Sequence, residues 1–139
     1  MKNMRVLIDT NILLDWLMNR EPFLQNATKI MENCLFGNLE GFLSAHTLPD
    51  LFYILRKDFS VKKRKELLIL LCDNMKVIPE DQETIKATLT NDAWLDLEDG
   101  LQMQCAAIED LDYIITRNLK DFEASAIEVI SPEQFLTLK

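Results

Sequence analysis

Val6-Leu7-Ile8-Asp9-Thr10-Asn11-Ile12-Leu13-Leu14-Asp15 is the stretch whose reading decides the fold. Three successive apolar residues predict a buried strand, and Thr10-Asn11 can start a helix. Asp9 then stands at the carboxyl end of a strand, where open α/β sheets place their ligands. A carboxylate there is costly to desolvate unless a cation or hydrogen bonds compensate it. The informative question is therefore which other acids converge on Asp9.

Working outward, the rest of the chain repeats the alternation. Ile12–Met18 predicts a short helix broken at Asn19-Arg20-Glu21-Pro22, and Phe23–Phe36 shows helical spacing closed by Gly37. Gly41–Ser44 reads as a second strand. Leu48, Leu51, Phe52 and Leu55 then mark a helix that tolerates Pro49 in its first turn. Ser60 can cap a helix that becomes nearly solid apolar at Leu67–Leu71. Met75–Ile78 predicts a strand ended by Pro79, and Gln82–Asn91 a modest helix. Asp96–Asp99 opens a helix carrying Leu101, Cys105 and Ile108. Tyr113–Thr116 is a strand with a turn at Arg117-Asn118, Glu128–Ile130 is the last strand, and Pro132 starts a final helix. Strands alternating with helices predict an α/β fold with a small, mainly parallel central sheet and helices on both faces.

Composition bounds what this fold can serve. With 139 residues, 48% apolar and 27% charged, the chain suits one domain over residues 1–139. No apolar run approaches the roughly 20 residues needed to cross a bilayer. Asp9 and Asp15 interrupt any leader pattern at Met1–Leu14, so the expected location is the cytoplasm with no membrane partner. Cys34, Cys72 and Cys105 are widely spaced in apolar surroundings and read as buried thiols, not as a zinc or disulfide framework. Net charge is −8, with sixteen acids against five bases in residues 66–139 and six bases within residues 56–65. Such a protein does not bind polyanions by bulk charge. A nucleic-acid substrate must be met by a local basic patch and by metal ions.

Taken singly, each acid has a structural reading. Asp9 suits a helix N-cap. Thr47-x-x-Asp50, Asp96-x-x-Asp99 and Asn118-x-x-Asp121 share the spacing of a capping box, and first-turn acids suit a helix dipole. Their joint placement points elsewhere. Asp9 follows one strand, Asn118 and Asp121 follow another, and Asp50 and Asp99 stand near helix starts. Carboxylates meeting without counter-charge repel, which Mg²⁺ or Mn²⁺ resolves through oxygen ligation.

These residues resemble the PIN-domain nucleases, in particular the small bacterial VapC-type toxins of toxin–antitoxin pairs. The resemblance rests on Asp9–Asp15 after the apolar strand and on Ser44-Ala45-His46-Thr47-Leu48-Pro49-Asp50. It continues through Asp96-Leu97-Glu98-Asp99 before Ala106, and through Asp112-Tyr113-Ile114-Ile115-Thr116-Arg117-Asn118-Leu119-Lys120-Asp121-Phe122. It implies a three-layer α/β/α sandwich and Mg²⁺- or Mn²⁺-dependent cleavage of RNA phosphodiesters. Asp9, Asp50, Asp99 and Asp121 would be the catalytic and metal-binding acids. Thr10, Asn11 and Thr116 would orient carboxylates or water, Asn118 would assist Asp121, and Arg117 would contact phosphate. The second family acid is usually Glu, and Asp50 is one methylene shorter. The resemblance also implies an antitoxin partner and a homodimer, to which Phe52, Phe59 and Trp16 are candidate contributors.

Two other readings stand beside it. One is a PIN-like binding or scaffold module with a degraded active site, favoured by Asp50 in place of Glu. The other is a phosphoacceptor receiver domain, which lacks support because Asp9 has no acidic neighbour after the strand. Asp15 and Asp112 read as structural acids, His46 as a hydrogen-bonding residue at a helix start, and Lys62–Lys65 as a solvated face.

Overall fold

The computed structural model describes residues 3–138. Met1, Lys2 and Lys139, which open and close the expected 1–139 domain and begin the leader reading, lie outside the described residues.

Among the described residues five strands, all parallel, form one sheet in the order β3-β2-β1-β4-β5. They are β1 Arg5–Ile8, β2 Glu40–Ser44, β3 Lys76–Ile78, β4 Tyr113–Ile115 and β5 Val129–Ile130. β1 is central, pairing Leu7 with Phe42 on one side and with Ile114 on the other. Strand order reverses between β1 and β4, so the crevice at their carboxyl ends is the topological switch point where such sheets take ligands. The backbone seals this junction, with the Asp9 N–H donating to the Ile115 carbonyl at 3.0 Å.

The helices are α1 Thr10–Leu17, α2 Leu24–Leu35, α3 Thr47–Ile54, α4 Val61–Asn74, α5 Gln82–Leu89, α6 Leu97–Ile108 and α7 Pro132–Leu136. Alternation along β1 divides the core. Val6 and Ile8 face a cluster built from Ile12, Leu13, Ile30, Leu51 and Leu71, whereas Leu7 faces Phe42, Met103, Ala106, Ile114 and Phe122. This is the three-layer α/β/α sandwich, with both sheet faces covered as a parallel sheet requires. Gly37, at φ 79°, closes α2 in the left-handed region that glycine enters without steric cost. At Gly100 a Cβ would lie 2.9 Å from Thr88 Cγ2 and 3.1 Å from Trp94 Cβ. The missing side chain lets the first turn of α6 close against α5 and the loop before it.

Several local expectations change in the tertiary setting. Thr47 does not cap α3: it is the first helical residue, and its Oγ1 pairs with Thr10 Oγ1 at 3.0 Å. Asn118 precedes a short 3-10 turn, Leu119–Phe122, without a side-chain capping bond. Ser60 and Asp96 do cap, accepting from the Lys63 and Asp99 N–H groups. Within the apolar run Leu67–Leu71 only Leu71 is buried, while Ile69 and Leu70 are exposed. Cys34 and Cys105 are buried thiols, but Cys72 is exposed on α4. Burial pushes the Cys34 thiol up to about 12 and Cys105 to about 11, leaving both protonated near neutrality. In the basic run, Arg64 anchors the α3–α4 connection by donating to the Phe52 and Phe59 carbonyls while covering the Phe52 ring. Phe59 and Trp16 pack against the core. Among the described residues no helix is long and apolar enough to cross a membrane.

Candidate active site

Asp9 is 3% exposed, directly after β1. It occupies the N-cap position of α1, yet its carboxylate makes no capping bond. Instead Oδ2 accepts from Thr116 Oγ1 at 2.9 Å, just past β4, and Oδ1 accepts from Gln102 Nε2 at 3.1 Å, on α6. Burial raises the Asp9 pKa, opposed first by these two bonds and then by the Thr10 backbone and the Arg117 charge. The Thr116 hydroxyl also accepts from the Asn118 N–H, so one hydroxyl orients both the acid and the turn.

Sequence reading missed Gln102. Its available signal is a polar residue amid Leu101, Met103 and Cys105, one turn beyond Asp99 and therefore on the same side of α6. The residue is buried, and its Oε1 has no partner among the described residues, as is also true of Ser44 Oγ. A buried acceptor left in this state marks a place where a donor is wanted.

Asp99 lies in the first turn of α6, half-buried, its N–H held by Asp96 Oδ1 at 2.9 Å. Burial, and after it the charges of Asp96, Asp9, Asp121 and Glu98, push its carboxyl up to about 7. Asp9 and Asp121 are thus each within electrostatic reach of Asp99. Asp121 is exposed on the 3-10 turn, and its neighbour Phe122 is 1% exposed in the core beneath. Burying that ring supplies about 2–3 kcal/mol to hold the turn in place. Asp99 and Asp121 share a pocket of about 330 Å³ with Trp94, Leu95, Met103 and Lys120.

Asp50 has different immediate neighbours. It stands beside Glu98, whose pKa is raised by burial first and then by Asp50. His46, Asp50 and Glu98 each present a potential ligand atom within 4.8 Å of the others. Glu80 lies behind them, with Oε2 2.7 Å from His46 Nδ1. Glu98 and Asp99 are consecutive on α6, so the two acid groups adjoin at one helix start. Asn11 is half-buried in the first turn of α1.

Arg117 is engaged from two directions. Its guanidinium forks onto Asp15 at 2.8 and 3.2 Å and stacks 4.0 Å from the Phe23 ring. Asp15 is 1% exposed, consistent with a structural acid, and its second cation is Arg20 at 3.9 Å. Arg117→Ala is expected to destabilise the fold by about 2 kcal/mol, because it leaves a buried carboxylate with only the more distant Arg20 as counter-charge. A lower urea midpoint reads the effect; an unchanged midpoint would show that Asp15 is compensated without it. Asp112 is at the opposite strand end, accepting from the Arg5 N–H at 2.8 Å.

The donors around Asp9, Asp99 and Asp121 are all oxygen, while Cys34 and Cys105 are committed to the cores. Acidic side chains at this helix start suit a divalent cation.

The family model described as PIN domain matches residues 5–120. No curated protein matches the chain in sequence. Among solved structures, a toxin–antitoxin complex from Klebsiella pneumoniae has 23% identity and TM-score 0.69, over 91% of this chain and 97% of its own. DNA-bound VapBC from Salmonella typhimurium has 18% identity and TM-score 0.68, over 93% and 98%. VapC20 from Mycobacterium tuberculosis, a sarcin-ricin loop cleaving toxin, has 10% identity and TM-score 0.60, over 78% and 86%. At these identities the likeness speaks for the fold.

Proposed function

We propose a nuclease function from one premise: this chain belongs to the PIN-domain family. The reading is a divalent-metal-dependent endoribonuclease, acting in the cytoplasm as the toxin of a toxin–antitoxin pair. The acting unit is the single domain 1–139, as a homodimer with an antitoxin partner. The observation that supports this reading is that Asp99, at the start of α6, feels the charges of both Asp9, buried at the carboxyl end of β1, and Asp121, on the turn after β4. The toxin role draws support from structural neighbours that are themselves toxins or toxin–antitoxin complexes.

Asp9, Asp99 and Asp121, joined by Asp50, would hold Mg²⁺ or Mn²⁺. When bound, the ion supplies an acidified water and neutralises charge at the phosphodiester. The chain's own task is positioning. Gln102 and Thr116 fix the Asp9 carboxylate, and preorganised oxygens avoid a reorganisation cost during reaction. Thr10 and Asn11 order the start of α1, Thr10 through its contact with Thr47. Asn118 sets the approach of Asp121. Arg117, held by Asp15, contributes positive potential at Asp9 rather than a free phosphate contact.

The test is metal-dependent cleavage of a single-stranded RNA panel by the wild type, Asp50→Glu and Asp50→Asn. Asp50→Glu is expected to retain or raise the rate, because the longer arm restores the family's usual reach. Asp50→Asn is expected to lower it about tenfold through the loss of one anionic ligand. Equal rates for all three remove Asp50 from the site. No cleavage by folded, metal-supplied wild type leaves the binding-module reading.

A further inference from the structure

The pocket beside Asp99 and Asp121 has a chemistry that metal ligation does not use. Trp94, Leu95 and Met103 give it an apolar wall, and Leu95 is 96% exposed at its lip. Ala93 N donates to Asn91 Oδ1 and Trp94 N to the Asn91 carbonyl, so the lip is a built turn. Trp94 also packs over Gly100, which fixes the indole to the helix that carries Asp99. At about 330 Å³ the pocket is near the lower end of the roughly 300–1,000 Å³ range of small-molecule sites. That size suits one planar ring system and not a peptide segment.

We propose that this pocket receives one unpaired nucleobase of the RNA strand, next to the phosphate at Asp99 and Asp121, and that it favours guanine. The inference rests on the ribonuclease reading. A phosphate held through the divalent ion that Asp99 and Asp121 would bind leaves the attached base within one nucleotide of the Trp94–Met103 wall, which lines the same pocket. Single-stranded RNA is commonly read through such splayed bases, set against aromatic side chains and hydrogen-bonded on their edges.

The polar part of the lining supplies the preference. Glu123 and Asp96 line the pocket and, as carboxylates, only accept hydrogen bonds. Guanine presents two adjacent N–H donors on its pairing edge and can meet one carboxylate with both. Uracil presents one N–H between two carbonyls and meets repulsion there. Lys120, the one basic residue in the lining, offers a point charge for a flanking phosphate.

Two measurements on the full chain test this. Trp16→Phe leaves Trp94 as the sole tryptophan, and guanosine monophosphate is expected to quench its fluorescence at least about tenfold more tightly than uridine monophosphate. In the RNA panel, substrates with guanine flanking the scissile bond are expected to be cut about tenfold faster. Glu123→Gln is expected to abolish both preferences, and its exposed position makes misfolding an unattractive explanation. Equal quenching by the two nucleotides, or a preference unchanged in Glu123→Gln, overturns the subsite. Cleavage without base preference strikes the subsite and spares the nuclease reading. Selective quenching without cleavage of any RNA strikes the nuclease reading and supports the base pocket.

Discussion

Replacing Asp9 by Asn is expected to reduce metal-dependent RNA cleavage by about a thousandfold, or ~4 kcal/mol of transition-state stabilisation. Asp9 is the most buried of the four candidate acids, and it is held by hydrogen bonds from two different elements. The substitution keeps the shape and removes the charge. Its effect on folding should have the opposite sign. The neutral amide escapes the desolvation that raises the Asp9 pKa. The Gln102 amide, whose Oε1 has no partner among the described residues, can turn to accept from the new Nδ2. Metal-free Asp9→Asn should therefore melt at or above the wild-type temperature at pH 8. Lost activity with retained stability identifies a functional charge. Retained activity would falsify the site assignment, and a large drop in Tm would make Asp9 chiefly structural.

Metal addition is expected to give the second large effect. At a hundredfold excess over Kd, Mg²⁺ or Mn²⁺ stabilises by about 2.7 kcal/mol. For a chain of this size that is a Tm increase of about 8 °C. The effect should depend on pH in a definite direction. Asp99 has an ordinary value of 3.8 and is raised to about 7 in the fold, and Asp9 is raised too. Between those values the folded state binds more protons than the unfolded, so metal-free stability falls as pH rises from about 4 to about 7. Protons and metal compete for the same oxygens. The metal-induced Tm increase should consequently be largest at pH 8 and shrink toward pH 5. Thermal melts after chelation, with zinc excluded, read both trends. No shift at millimolar Mg²⁺ or Mn²⁺ at pH 8 would argue for the module with a degraded site.

Much of the fold was legible because its determinants are local. The run Val6-Leu7-Ile8 is apolar on both faces, as a central parallel strand must be, and it became β1 flanked by β2 and β4. Capping at Ser60 and Asp96 was readable for the same reason, since donor and acceptor lie three residues apart. Thr47 shows where local reading stops. Its spacing to Asp50 matches a capping box, but its hydroxyl meets Thr10 across 37 positions instead. A hydroxyl follows the partner that packing brings nearest, and spacing carries no record of that choice.

The acids of the candidate site divide along the same line. Their positions at strand ends and helix starts followed from periodicity and turn chemistry alone. Their partners did not. Gln102 reaches Asp9 across 93 positions, Thr116 reaches Asp9 across 107, and Arg117 reaches Asp15 across 102. Asp50 reads in sequence as a fourth member of one cluster, and the fold sets it beside Glu98 and His46, with His46 backed by Glu80. What the residues alone could specify was the alternation of strands and helices and a small, mainly parallel sheet, because burial patterns act over a few residues. Only the tertiary structure decided which side chains orient Asp9, which acid is driven toward neutrality and which arginine is already committed. Hydrogen-bond partners and desolvation are properties of the packed interior, and they arise when the α6 start closes over the carboxyl ends of β1 and β4.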